Sequence, residues 1–189
     1  KDGTVYYSDL EAYEPESGKD YAKILKAVYD GIKAGNPDAL VISSGCSVRN
    51  KDDGESTIRN MREFAEGMLG AIQEDAQNNY FDVFGIHSYH TGSAPEKGDQ
   101  WAMGYDFCEA QDDVTRLLEE YDAIRYSEEN GIEKNVEKWT TEIGLSATMA
   151  KEREYSAWHL RLLALNLMGD KYGPYHNKYF IYSIFNHGF

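Results

Sequence analysis

Residues 134–146 read KNVEKWTTEIGLS and form the most informative stretch of the chain. The run 136–141 has the composition of a short strand, Glu142 follows it directly, and Gly144 ends it. A carboxylate at the end of an apolar strand is costly unless it is paired or used, because burial disfavours its charge. Glu142 is therefore the first candidate functional residue, although strand-end glutamates also serve as ion-pair partners or lie in solvent.

The composition is that of an ordinary globular domain. The 189 residues are enough for one domain with a sizeable core, since 41% of them are hydrophobic and 28% are charged. The formal charge of -14 repels phosphate backbones and anionic membrane surfaces, and no apolar run approaches the ~18 residues that cross a bilayer. We therefore expect neither nucleic acid nor a membrane as a partner.

The two cysteines, Cys46 and Cys108, do not have the spacing of metal ligands. The two cysteines could form a single disulfide, and the sequence does not decide whether they do. His87 and His90 raise the alternative of a zinc hydrolase, but three residues apart on a strand they would point to opposite faces. We expect no metal and no cofactor.

Strand-like and helix-like segments alternate along the chain. Strands are predicted at 4–10, 39–44, 80–89, 136–141 and 178–185, with amphipathic helices between them. In the first helix the apolar stripe consists of Tyr21, Ile24, Leu25, Val28, Tyr29 and Ile32. Trp158 lies on the stripe of the last helix and is predicted to be in the core.

This strict alternation predicts an α/β fold of parallel βα units joined by right-handed crossovers. The sheet is either open or closed into a (β/α)8 barrel. No glycine-rich nucleotide fingerprint follows a strand, which counts against the open sheet. Acidic residues and histidines follow the predicted strands, at the carboxyl ends where such folds place their chemistry.

Three stretches resemble a known enzyme family. The stretches are WTTEIG at 139–144, DVFGIHSY at 82–89, and YEP at 13–15 with the helical segment 20–45 after it. All three are similar to parts of the (β/α)8-barrel glycoside hydrolases of the large retaining clan, whose catalytic glutamates follow strands 4 and 7. The resemblance covers nearly the whole chain. It implies one partial TIM-barrel catalytic domain over residues 1–189, with strands 4 to 8 present and strands 1 to 3 absent. We expect a fragment, or a chain completed by the missing N-terminal barrel segment on the same or another chain.

The resemblance also implies a reaction. The protein is expected to hydrolyse O-glycosidic bonds of an oligo- or polysaccharide with retention, outside the cell, with Glu142 as nucleophile and Glu14 as acid/base. Glu11 is the alternative acid/base if the strand register differs. Retaining enzymes hold two such carboxyl groups about 5–5.5 Å apart, one ionised and one protonated. The resemblance implies that Tyr89 hydrogen-bonds the nucleophile and that His87 lines the site. Tyr13, Phe185 and Trp101, the last in the long polar loop predicted at 90–104, are the other candidate substrate-binding residues.

The chain departs from the family pattern at two of these positions. Tyr13 stands where the family usually has the Asn that precedes the acid/base Glu, and Phe185 stands near the place of a Trp on strand eight. A non-catalytic carbohydrate-binding protein derived from a glycosidase barrel is therefore the alternative function. Sugar binding without hydrolysis would be its signature.

Overall fold

The computed structural model describes residues 14–46, 61–75, 77–87, 94–97, 106–143 and 152–181. Within these ranges lie four helices and five strands: α1 Pro15–Gly35, α2 Arg62–Glu74, β1 Val83–His87, α3 Phe107–Glu120, β2 Arg125–Ser127, β3 Gly131–Lys134, β4 Glu137–Ile143, α4 Glu152–Met168 and β5 Lys178–Ile181. The predicted first strand at 4–10 lies outside them. No helix in the same ranges combines the length and the apolar composition needed to cross a bilayer.

The central sheet is parallel and follows the chain order. β1, β4 and β5 are neighbours in that order, and β4 lies in the middle. Residues 41–46 run parallel beside the other edge of β1 through the bridges Ile42–Val83 and Cys46–Ile86. The predicted α/β class and the parallel strands are confirmed, and the arrangement is consistent with part of a glycosidase barrel.

An antiparallel hairpin of β2 and β3 interrupts the alternation between α3 and β4. This is a correction, because the sequence predicted that the third helix runs directly into the strand of Glu142. The hairpin turn is built from local polar groups. The Ser127 hydroxyl accepts hydrogen bonds from the backbone N–H of Glu129 and Asn130 at 3.2 Å each, and Gly131 has a φ of 76°.

Two glycines allow α1 and α2 to pack closely. A Cβ added at Gly18 would lie 2.0 Å from the carbonyl oxygen of Phe64, and one at Gly67 would lie 1.9 Å from the carbonyl oxygen of Pro15. Both contacts are with helix backbone, which cannot move aside as a flexible side chain can. The pair of helices therefore depends on the absence of side chains at these two positions.

The core consists of two clusters. The larger one joins α1, α2 and α3 to residues 41–46 and β1, and the smaller one joins α3, α4, β4 and β5 around Phe107, Trp158 and Leu162. Trp158 is buried, as predicted. Cys46 and Cys108 carry free thiols, so they form no disulfide with each other. Burial raises the pKa of the Cys46 thiol to about 11.

The apolar stripe predicted for the first helix is only partly buried. Leu25 lies in the core, but the exposed fractions of Ile24, Val28 and Ile32 are 62%, 46% and 38%. The spacing of the stripe thus predicted the helix but not which of its residues are buried. The described part of the chain does not cover these three residues.

Candidate active site

β4 has two faces, and helices cover one of them. Nζ of Lys138 lies 3.1 Å from the hydroxyl oxygen of Thr115 on α3, and Ile143 packs in the cluster between α3 and α4. Lys138 and Ile143 are five residues apart, an odd separation that a regular strand would place on opposite faces. β4 must therefore contain an irregularity between them.

The irregularity lies between Thr140 and Ile143. On the side of β1 the register shifts as well, so that Glu142 rather than Thr141 is the partner of His87. A regular strand would turn Glu142 towards the helices together with Lys138, whereas one extra residue turns it to the other side of the sheet. Bulges of this kind occur next to active sites, where they redirect a side chain. We call this side of the sheet the Glu142 face.

His87 lies on the Glu142 face at the carboxyl end of β1. Its neighbour Ile86 is buried in the cluster that packs against the helices, so alternation places His87 on the other side. Nδ1 of His87 lies 3.8 Å from Oε2 of Glu142. This distance is too long for a direct hydrogen bond but suits an ion pair when the imidazole is protonated. About a third of each side chain is exposed (35% and 34%), so both are accessible to a ligand.

Gly45 provides the space for the His87 imidazole. A Cβ added at Gly45 would lie 2.1 Å from Nε2 of His87, so the ring lies directly against the backbone of residues 41–46. The sequence interpretation did not single out Gly45. The available signal was a glycine at the end of a predicted strand, which often marks a close approach to the backbone.

Glu14 lies on a different element from Glu142. It is the exposed N-cap residue of α1, with an extended backbone (φ -73°, ψ 158°), and its side chain makes no capping hydrogen bond. The structure thus brings together Glu142 and His87 among the predicted residues and places Glu14 at the start of α1.

The other predicted site residues lie outside the described ranges. They are Glu11, Tyr13, Tyr89, Trp101 and Phe185, together with His90 of the zinc alternative. Their roles stay predictions. Within the described ranges, no group of three or more histidines, cysteines and acidic residues is arranged to hold a metal ion.

Aromatic side chains occupy the Glu142 face nearer the start of β4. The rings of Trp139 and Phe180 are 5.9 Å apart between centroids, and Nζ of Lys178 lies 4.0 Å from the Trp139 ring centroid. The indole N–H of Trp139 donates to the Glu137 carboxylate at 2.6 Å. The sequence interpretation missed this cluster. The available signal was the alternation of side chains along a strand. Trp139 is next to Lys138, which faces the helices, so the Trp139 side chain is expected on the other side of the sheet.

A buried polar network on the helix face of β4 lies apart from the Glu142 face. Nζ of Lys138 is 3.3 Å from the Asp170 carboxylate, to which the Thr115 hydroxyl also donates at 2.7 Å. Burial lowers the pKa of Lys138, and the charge of Asp170 acts in the opposite direction. Because the group is enclosed between α3 and the loop before β5, we interpret it as a structural ion pair.

Comparisons with known proteins bear on the fold. No protein-family model matches the chain, and no curated protein matches it. Among solved structures, the chain is similar to a family 39 glycoside hydrolase from the gut symbiont Bacteroides cellulosilyticus WH2, with a TM-score of 0.52 and 20% sequence identity. The match covers 86% of this chain and 30% of that chain, so this chain spans less than a third of that protein's length. The chain therefore has a glycoside hydrolase-like fold.

Proposed function

We propose that the protein hydrolyses O-glycosidic bonds of an oligo- or polysaccharide with retention, and that Glu142 is the nucleophile. The observation that carries this proposal is the position of Glu142. It lies near the carboxyl end of the central parallel strand, on the face away from the helices and 3.8 Å from His87. This is the end of parallel strands where α/β barrels have their active sites. A partly exposed carboxylate at this place can reach the anomeric carbon of a sugar.

We assign the acid/base role to Glu14, with Glu11 as the alternative. Retaining hydrolysis needs a second carboxyl group about 5–5.5 Å from the nucleophile, and it must carry a proton. Glu14 is exposed and its side chain does not cap α1, so its carboxyl group is available for this role.

Aromatic residues and His87 would hold the sugar around these carboxyl groups. Flat rings pack against the apolar faces of sugars, and their polar atoms bond the hydroxyl groups. His87 is in place beside Glu142. Tyr89 is assigned to the same site on the resemblance of its motif, and Trp101 because it lies in the long polar loop predicted at 90–104. Tyr13 and Phe185 are assigned to it because they stand at or near binding positions of the family. The mechanism requires no cofactor.

Further βα units, on the same or another chain, would complete the barrel. Exposed apolar residues form a stripe at four-residue spacing on α1 (Ile24, Val28 and Ile32) and a second stripe on α4 (Leu160, Leu163 and Leu167). α1 precedes residues 41–46 at one edge of the sheet, and α4 precedes β5 at the other. Both stripes thus belong to the two ends of the row of βα units, where strands 1 to 3 and their helices would pack. An extracellular location follows from a polysaccharide substrate.

The test is Glu142→Gln in the complete protein, with Glu137→Gln as its matched control. Glu137 is at the opposite end of the same strand, and Gln at this position keeps an acceptor for the Trp139 N–H. We expect Glu142→Gln to lower kcat on aryl glycosides by at least about 10³-fold, because the amide cannot attack the anomeric carbon. The control should keep kcat within about threefold of the original value.

Three outcomes would contradict the proposal. Unchanged turnover by Glu142→Gln would exclude this residue as the nucleophile. Sugar affinity without hydrolysis by the unmodified protein, across a broad panel of aryl glycosides, would instead favour the carbohydrate-binding alternative. Loss of activity on treatment with a chelator would favour a metal-dependent hydrolase.

A further inference from the structure

A cleft lies at the opposite end of β1 and β4 from Glu142. It has a volume of about 200 Å³, and its lining includes Phe81, just before β1, and Val136, just before β4. Phe81 precedes His87 by six residues, as Val136 precedes Glu142, so at about 3.3 Å per residue the cleft is about 20 Å from these side chains. The cleft is therefore separate from the candidate active site.

Two half-buried aromatic rings supply apolar surface in the cleft. Tyr121, which follows α3, lies against α2, where a Cβ added at Gly70 would be 3.5 Å from Cε1 of its ring. Phe81 is held by Phe84, with 6.1 Å between the ring centroids. Both rings are supported by the core, so little conformational entropy is lost when a ligand packs on them.

The rim of the cleft is polar without a net charge. The amide side chains of Gln73 and Asn79 are exposed there. Among the described lining residues the charged ones are Lys134 and Asp122, which lie next to each other, and Arg125 outside the lining pairs with the Asp122 carboxylate at 2.6 Å. Nζ of Lys134 donates to the backbone carbonyl of Asp122 and lies 3.7 Å from its carboxylate. On a chain with a formal charge of -14, this balance favours a neutral ligand.

We propose that the cleft binds one sugar ring of a neutral carbohydrate chain and serves as an accessory binding site. The C–H face of a sugar packs on aromatic rings, while its hydroxyl groups exchange hydrogen bonds with side-chain amides. The cleft is smaller than the roughly 300–1,000 Å³ of pockets for drug-sized ligands, so it fits a single ring with the rest of the chain in solvent. The choice of carbohydrate rests on the proposed function.

Tyr121→Ala tests the site in the complete protein that also carries Glu142→Gln, so that oligosaccharides are not cleaved. The probes are short neutral xylo-, cello- and galacto-oligosaccharides, and NMR shifts of the Ala123 and Lys134 amides report binding at the cleft. We expect Tyr121→Ala to weaken this binding by about tenfold. Tyr121→Phe, which keeps the ring, and Tyr126→Ala, which removes an exposed tyrosine outside the cleft, should change it by less than about twofold.

Asn79→Asp is a second test that leaves the core intact, because Asn79 is exposed. It replaces an amide donor by a charge, and we expect about threefold weaker binding at the cleft. In the protein with Glu142 intact, hydrolysis of a small aryl glycoside, which fills only the active site, should be unchanged by Tyr121→Ala and by Asn79→Asp. This readout separates the two proposals, because a failure of Glu142→Gln to stop hydrolysis says nothing against binding at the cleft.

Three results would overturn the accessory site. The first is the absence of saccharide-dependent shifts at Ala123 and Lys134 for every probe. The second is equal affinity at the cleft before and after Tyr121→Ala and Asn79→Asp. The third is an apolar aromatic ligand that binds at the cleft and that saccharides do not displace.

Discussion

Glu142 shows how one extra residue in a strand changes the face of the sheet on which a side chain lies. In a regular β4 it would share the helix face with Lys138, whose amine bonds to Thr115 and pairs with Asp170. The irregularity between Thr140 and Ile143 places it beside His87 instead. A carboxylate on the helix face would need a buried partner, whereas on the Glu142 face it is partly exposed and accessible.

Gly45→Ala tests whether the position of His87 matters for activity. The added methyl group would overlap the imidazole, and the ring can move away because it is a side chain. We expect His87 to turn away from Glu142 and kcat/KM on aryl glycosides to fall by about tenfold or more. Unfolding by urea should show a loss of no more than about 1–2 kcal/mol. An unchanged kcat/KM would show that this position of His87 is not required.

His176 should make the protein less stable in acid. It is fully buried, its backbone N–H donates to Asn166 at 2.7 Å, and its ring Nε2 lies 2.7 Å from the side-chain oxygen of Gln111. Burial holds the pKa of His176 well below 6.5. Below pH 6.5 the unfolded chain therefore binds a proton that the folded chain does not. The free energy of unfolding should fall by up to about 1.4 kcal/mol per pH unit as the pH decreases through this window.

His176→Gln removes the titration and keeps an N–H donor for Gln111. We expect a free energy of unfolding about 1 kcal/mol lower at pH 7.5 and a shallower decrease between pH 6.5 and pH 5. Urea unfolding at a series of pH values measures both. Parallel curves for the two proteins would show that His176 does not cause the acid sensitivity.

At the scale of elements, the contact between α1 and α2 depends on backbone packing. The Cβ positions of Gly18 and Gly67 are occupied by carbonyl groups of the facing helix. A side chain at either position must push the helices apart, because neither backbone can yield without losing its own hydrogen bonds. Tyr21 adds a ring contact with Phe64, at 5.5 Å between centroids.

We expect Gly18→Ala and Gly67→Ala each to lower the free energy of unfolding by about 1–3 kcal/mol. Gly31→Ala is the matched control, since Gly31 is also inside α1 and no atom lies within 4 Å of its added Cβ. This control should stabilise the protein by about 0.5–1 kcal/mol through the lower entropy of the unfolded chain. Equal effects at positions 18 and 31 would show that the close approach does not determine stability.

At the scale of the whole molecule, the two exposed apolar stripes are the surfaces on which the proposed further βα units would pack. The α1 stripe lies on an amphipathic helix whose Leu25 is buried, so the helix has two apolar surfaces, of which the described residues cover one. Packing of further βα units would remove the second surface from water. This burial would add to stability at roughly 25 cal/mol per Å² of apolar area.

Val28→Asp in the complete protein tests this burial. If further units cover Val28, the substitution buries an unpaired charge, and we expect a loss of about 3 kcal/mol or more in the free energy of unfolding. Ala27→Asp is the control, because Ala27 is exposed and lies off the stripe, and it should lower stability by no more than about 1 kcal/mol, mainly through the lower helix propensity of Asp. Equally small effects at both positions would mean that the stripe faces solvent in the complete protein.

Local periodicity predicted much of this structure. The alternation of strand-like and helical segments, the burial of Trp158 and the strand that carries Glu142 all follow from spacings within a few residues along the chain. The hairpin of β2 and β3 was not predicted, because its strands are short and mostly polar and resemble a loop. The catalytic role of Glu142 and the pairing with Glu14 or Glu11 stay predictions.

Other features depend on contacts between segments far apart in the chain, and no local pattern encodes them. The register of β4 against β1 decides that Glu142 meets His87, and the distance between Gly45 and β1 decides where the imidazole lies. Likewise, the sequence pattern of the apolar stripe of α1 is the same whether a helix, a strand or solvent faces it. The chain's own spacing therefore specifies which elements form, whereas the packing of one element on another selects the face that each side chain occupies.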